Sequence, residues 1–171
     1  MNLHKTGFAY YFLSSLLVGT LLLLYMMGDS VTALLDATGW VFFVSSCYAH
    51  AAILVLALYL VFFLPWALLR WRRVAASLFI GSVSLLSVLT FVNMQVYKIY
   101  RFHINGFILN MLTGPGAGDI FDFDTKLILT ELLFFLLLTT LCVGLWWGAR
   151  WLSRHSGRRG RWLMGAWLLG C

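Results

Sequence analysis

The sequence predicts an all-α integral membrane protein with four complete transmembrane helices, a truncated fifth, and a short periplasmic interfacial helix. Three observations carry that class. The chain is 62% hydrophobic and 11% charged, against about 25% charged residues in an average soluble domain. Its apolar runs recur at the ~20-residue length that crosses ~30 Å of hydrocarbon. Its basic residues gather between those runs rather than within them.

Span one is expected at about residues 8–27, after His4 and Lys5. It is too long for a signal-peptide apolar core and lacks a small-residue cleavage site, so it reads as a retained anchor. Ser15 and Gly19 form a small-xxx-small pair that admits a neighbouring helix closely. The following linker, 28–39, holds Asp29 and Asp36 but no Lys or Arg. Span two, about 40–69, exceeds the minimum length, so it must tilt or kink. Near its end, Pro65 removes one ladder hydrogen bond. Arg70, Arg72 and Arg73 then lead almost at once into span three, about 74–96, so the two form a tight antiparallel hairpin. Ser77, Gly81, Ser84, Ser87 and Thr90 suit close helix packing there, and Asn93 and Gln95 make its far end polar.

The stretch 97–124, YKIYRFHINGFILNMLTGPGAGDIFDFD, is neither continuously apolar nor a plain basic linker. Asn105 is a plausible N-cap. Ile104, Phe107, Ile108, Met111 and Leu112 then share one helical face. Gly114 and Pro115 stop the helix. A helix this short is marginal alone in water, but lying on the membrane it buries its apolar face at the lipid boundary. Span four is expected at about 124–147. After it comes a basic loop with Arg150, Arg154, Arg158, Arg159 and Arg161, and then a partial span at 162–171. Ten residues rise only ~15 Å as a helix. The chain is therefore expected to be the front of a longer protein whose globular domain follows Cys171.

Lys5, Arg70, Arg72, Arg73 and the five arginines of the last loop fall on one side of this topology, with only Lys98, Arg101 and Lys126 opposite. By the positive-inside rule the N-terminus is cytoplasmic and 97–124 lies on the outer face. The net charge of +6 thus addresses a membrane, and no nucleic-acid partner is expected. Cys47, Cys142 and Cys171 are widely spaced, without a C-x-x-C pair, so neither a disulfide framework nor a metal site is expected. The final LLGC resembles a lipobox but lacks the mature chain that must follow one.

Some residues stand out against this background. His50 falls near the bilayer midplane, where an ionisable group is a functional candidate; otherwise it is a neutral imidazole bonded to a Ser or backbone group of a neighbouring helix. No second axial ligand lies at its depth, so haem ligation is not expected. Glu131, several residues into span four, needs a partner such as Arg101 or Lys98, or a proton. It serves either structural pairing, or a polar groove or lipid headgroup site. Lys98, Arg101 and His103 either bind a lipid headgroup phosphate or snorkel at the interface. Asp119, Asp122 and Asp124 lack the ligand ladder and closing Glu of a calcium loop, and read as helix-capping and turn residues. The basic loop Arg150–Arg161 sets topology and touches anionic lipid, or docks a cytoplasmic partner.

The run YRFHINGFILNMLTGPG, preceded by VNMQVY, resembles the membrane domain of the YejM/PbgA-like family of inner-membrane sulfatase-like proteins. So does His50 within SSCYAHAAILVLALYLVFFLP. That resemblance implies a five-span N-terminal region, in the bacterial inner membrane, ahead of a periplasmic domain of the alkaline phosphatase superfamily. It implies a non-catalytic anchor and lipid- or partner-sensing module in lipopolysaccharide and cardiolipin homeostasis, with no cofactor and no catalytic residue in this chain. The implied partners are membrane lipids, either anionic phospholipid or lipid A, with a cytoplasmic-side or intramembrane protein as a further possibility. One alternative is the anchor of an active hydrolase, or of a phosphoethanolamine or phosphoglycerol transferase, of the same superfamily. A second is a freestanding four-helix redox protein.

Overall fold

A computed structural model describes residues 3–27, 35–100 and 125–155. Within them lie α1 (Leu3–Met26), α2 (Ala37–Leu58), α3 (Leu64–Leu68), α4 (Arg72–Tyr100) and α5 (Thr125–His155), with a π-helical stretch at Tyr59–Phe63 joining α2 to α3. Four of the resulting helical segments are long and apolar enough to cross a membrane: Leu3–Met26, Ala37–Leu68, Arg72–Tyr97 and Leu129–Arg154. The chain has the architecture of a multi-pass membrane protein. Residues 101–124 and 156–171, on which the expected interfacial helix and partial fifth span fall, lie outside the described residues.

The outer surface follows from the solvent it meets. Ile53, Val61, Leu85, Leu89, Leu133, Leu137 and Trp147 are exposed along the spans. Such a belt would be costly in water, but hydrocarbon is as apolar as these side chains. Several hydroxyls inside the spans bond back to their own helix, as a water-free surrounding favours. Ser14 Oγ donates to Tyr10 O (2.6 Å), Ser15 Oγ to Tyr11 O (2.7 Å), Ser87 Oγ to Val83 O (2.9 Å) and Thr90 Oγ1 to Leu86 O (2.8 Å).

Helix α2 starts where its cap dictates. Asp36 is extended, and its Oδ1 accepts from Gly39 N at 2.7 Å, satisfying a free first-turn donor. The expected effect of Pro65 appears one turn upstream. The helix widens over Tyr59–Phe63, and the Leu64 N–H reaches back to Tyr59 O. A π turn is one of the recognised ways a helix accommodates a local break in its ladder.

The hairpin between α3 and α4 is closed by a Schellman motif. Arg70 N–H donates to Ala67 O (3.2 Å) and Trp71 N–H to Trp66 O (2.9 Å). The Trp66 and Trp71 rings meet at 5.5 Å, the apolar contact that accompanies this motif. Arg70 holds the left-handed position with φ 62, where glycine is usual.

Helix α1 lies closest to its neighbours where it has no side chain. A β-carbon at Gly19 would sit 2.3 Å from Tyr48 Cδ1, and one at Gly7 would sit 2.2 Å from Phe63 Cζ. The small-residue reading of Gly19 therefore holds, and Gly7 is a second close approach. In α4 the small residues divide: Ser84 and Ser87 are buried, while Gly81 is exposed and has nothing within 4 Å of a built β-carbon.

The main core is aromatic and joins every span. Tyr10 meets Phe79 at 5.0 Å and Trp146 at 5.3 Å, both edge-on. Phe63 stacks on Tyr59 at 5.0 Å and meets Phe79 at 5.5 Å. A smaller cluster of Phe91, Met94 and Leu138 lies toward the other end of α4, with Leu21, Tyr25 and Val88 packed against it.

Candidate functional site

Both ends of the bundle carry candidate chemistry. At one end the start of α1 meets the end of α5, where Thr6 Oγ1 and Ser153 Oγ lie 3.1 Å apart. The Gly7–Phe63 contact brings the π-helical stretch and the α3–α4 turn to that same end. Lys5, Arg70, Arg72, Arg73 and Arg154 are all exposed there. The antiparallel folding of the spans thus gathers into one region basic residues that are far apart in sequence. Arg150 is turned inward by comparison. Its guanidinium carbon lies 5.6 Å from the Trp146 ring centroid, and its Nε is buried without a hydrogen-bond partner. A cation over an indole face is an attractive contact. Arg158, Arg159 and Arg161 lie outside the described residues.

At the opposite end, α4 runs to Tyr100 and includes Lys98. The Lys98 side chain, together with Arg101 and His103, lies outside the described residues. Asn93 is half-buried on α4.

Glu131 stands on α5 beside α4. Its Oε1 and Oε2 are both buried, and neither has a hydrogen-bond partner. It lines a groove of about 310 Å³ whose other walls are Val88, Phe91, Val92, Leu132, Phe135 and Leu138. Phe91 and Phe134 stack across α4 and α5 at 4.6 Å, close to the base of this groove. The sequence pointed to a carboxylate in need of a partner. Among the described residues the structure gives it none, and sets it in an apolar wall.

Among the described residues, His50 forms hydrogen bonds within its own helix and not to a neighbouring one. It is exposed on the outer face of α2, and its Nδ1 lies 2.7 Å from Ser46 O of its own helix. The bond satisfies one ring nitrogen and fixes the imidazole against the helix.

Sequence reasoning missed a polar centre deep among α1, α4 and α5. Ser87 Oγ lies 3.9 Å from Cys142 Sγ, and the Tyr10 hydroxyl and Ser84 Oγ are buried without partners. The only advance signal was the spacing of small residues in span three, since a tyrosine in an apolar run reads as bulk. Among the described residues, no group of three or more His, Cys, Asp or Glu side chains is placed to hold a metal ion.

A family model described as Domain of unknown function (DUF3413) matches residues 2–171. Comparison with curated proteins and with solved structures finds no match.

Proposed function

The chain belongs to the DUF3413 family, and on that premise we propose that it is the non-catalytic N-terminal membrane module of a YejM/PbgA-like, sulfatase-superfamily protein. In this reading it anchors a periplasmic domain in the bacterial inner membrane and senses envelope lipids, anionic phospholipid or lipid A. The N-terminus and the basic end are cytoplasmic, and the 97–124 segment is periplasmic. The gathering of Lys5, Arg70, Arg72, Arg73 and Arg154 at one end of the bundle supports that orientation.

The observation that carries the lipid-sensing role is the register of the third span. In the sequence, Lys98, Arg101 and His103 of the YKIYRFHIN run follow directly after the expected end of that span at about residue 96. A headgroup phosphate lies at that level, and an Arg fork suits it better than a point charge.

Native mass spectrometry of the detergent-purified chain tests this directly. Arg101→Ala weakens adducts of cardiolipin or lipid A, and Arg101→Lys weakens them less. The difference narrows at high salt, where the electrostatic part is screened. Equal adduct levels in the wild type and in a triple Ala variant of Lys98, Arg101 and His103 would overturn the reading.

A further inference from the structure

The unpartnered carboxylate of Glu131 is the feature that the proposed function leaves unused. Both of its oxygens are buried, and no hydrogen bond satisfies either of them. A charged carboxylate in such surroundings is tolerated only with a cation against it. Among described side chains, the arginines nearest in sequence on α5, Arg150 and Arg154, stand at the far end of the helix.

We propose that Glu131 and the groove between α4 and α5 bind a lipid with a primary-amine headgroup. The ammonium meets the carboxylate, and an acyl chain lies against Val88, Phe91, Leu132, Phe135 and Leu138.

Three observations converge on that class. The groove has a volume of about 310 Å³, and Glu131 is the one ionisable residue among the described residues of its wall, which describes an amphiphile's tail with a single cationic contact. Glu131 stands six residues into α5, which begins at Thr125, hence ~9 Å along it, near one end of a helix long enough to cross the hydrocarbon. Glu131 is also only half-buried as a residue, and it belongs to the groove wall. Binding there requires that rotation about its own side-chain torsions turn the carboxylate into the groove. A primary ammonium brings N–H donors that a carboxylate can accept, whereas a quaternary ammonium brings charge without them. The site is separate from Lys98, Arg101 and His103, and it selects on the amine rather than on the phosphate.

The test uses the whole chain in nanodiscs made from equal parts of dioleoyl phosphatidylethanolamine and dioleoyl phosphatidylcholine, two lipids that share the phosphate. Mass spectrometry of the lipid retained after transfer to detergent should show a roughly tenfold excess of the ethanolamine lipid, as a charge-assisted hydrogen bond implies. Glu131→Gln should bring the ratio to near one, and Glu131→Asp should keep part of the excess. Arg101→Ala should leave the ratio unchanged, so failure of the anionic-headgroup reading is distinguishable from failure of this one. No excess in the wild type, or an equal excess in Glu131→Gln, overturns the proposal. A second measurement needs no variant. A hydrophobic carbodiimide should modify Glu131 more slowly in phosphatidylethanolamine vesicles than in phosphatidylcholine vesicles. Equal rates mean an acid that is neutral, or paired within the protein or with another helix, and likewise overturn the proposal.

Discussion

The tip of the Phe63 ring abuts Gly7, with its Cζ 2.2 Å from where a β-carbon would be. No hydrogen bond is involved. The contact exists because one residue of α1 has no side chain, and it adds to the hold that Tyr10 gives the aromatic core on α1. Phe63 is fully buried, so the ring has no free space into which to retreat. Gly7→Ala should therefore destabilise the bundle by about 1–3 kcal/mol, the usual cost of overpacking. Gly19→Ala, facing Tyr48, should behave similarly. Gly81→Ala, with nothing within 4 Å, should be neutral or stabilising by up to ~1 kcal/mol, since Ala is the better helix former. Thermal unfolding in detergent orders the three variants. Equal midpoints for Gly7→Ala and Gly81→Ala would refute the contact.

Arg70 holds the left-handed corner of the α3–α4 hairpin at φ 62. A β-carbon there costs on the order of 1 kcal/mol, and glycine carries no such cost. Arg70→Gly should raise the unfolding temperature while leaving the Schellman bonds in place. A lower midpoint would mean that the arginine side chain contributes more than its backbone strain removes.

The Tyr10 hydroxyl is buried and unsatisfied, while its ring meets Phe79 and Trp146 edge-on. Tyr10→Phe keeps the ring and removes the stranded donor, so it should be neutral or stabilising by about 1 kcal/mol. A clear loss of stability in the same assay would reveal a partner for that hydroxyl.

Topology has its own test. In a background without native cysteines, Ala117→Cys should react with a membrane-impermeant maleimide in cells whose inner membrane is intact, and Arg73→Cys should react only after permeabilisation. The reverse pattern would invert the proposed orientation.

The spans themselves were readable because a run of apolar residues long enough to cross hydrocarbon has few other uses. Their faces were not. Span two is apolar on nearly every side, so nothing in its periodicity says whether His50 looks inward or outward. The structure turns it outward and bonds it to Ser46 O. Gly19 was readable through its partner Ser15 four residues earlier. Gly7 was hidden because Tyr11 occupies the equivalent position. Glu131 was identifiable as an ionisable residue in a span. Its lack of a partner depends on how α4 and α5 pack, which no local pattern encodes.

The widened turn at Tyr59–Phe63 gives the second span a residue of slack. In a regular helix, removing one residue swings everything beyond it by ~100° about the axis, taking a buried face into lipid. A π turn holds one residue more than the α turn it replaces. Excising Val61, which points away from the core, would let the ladder close as an ordinary α-helix and leave the two halves of the span facing as they do now. Length variation by a single residue is thus admissible at that point in the bundle, whereas the same excision within α4 or α5 would displace the aromatic core.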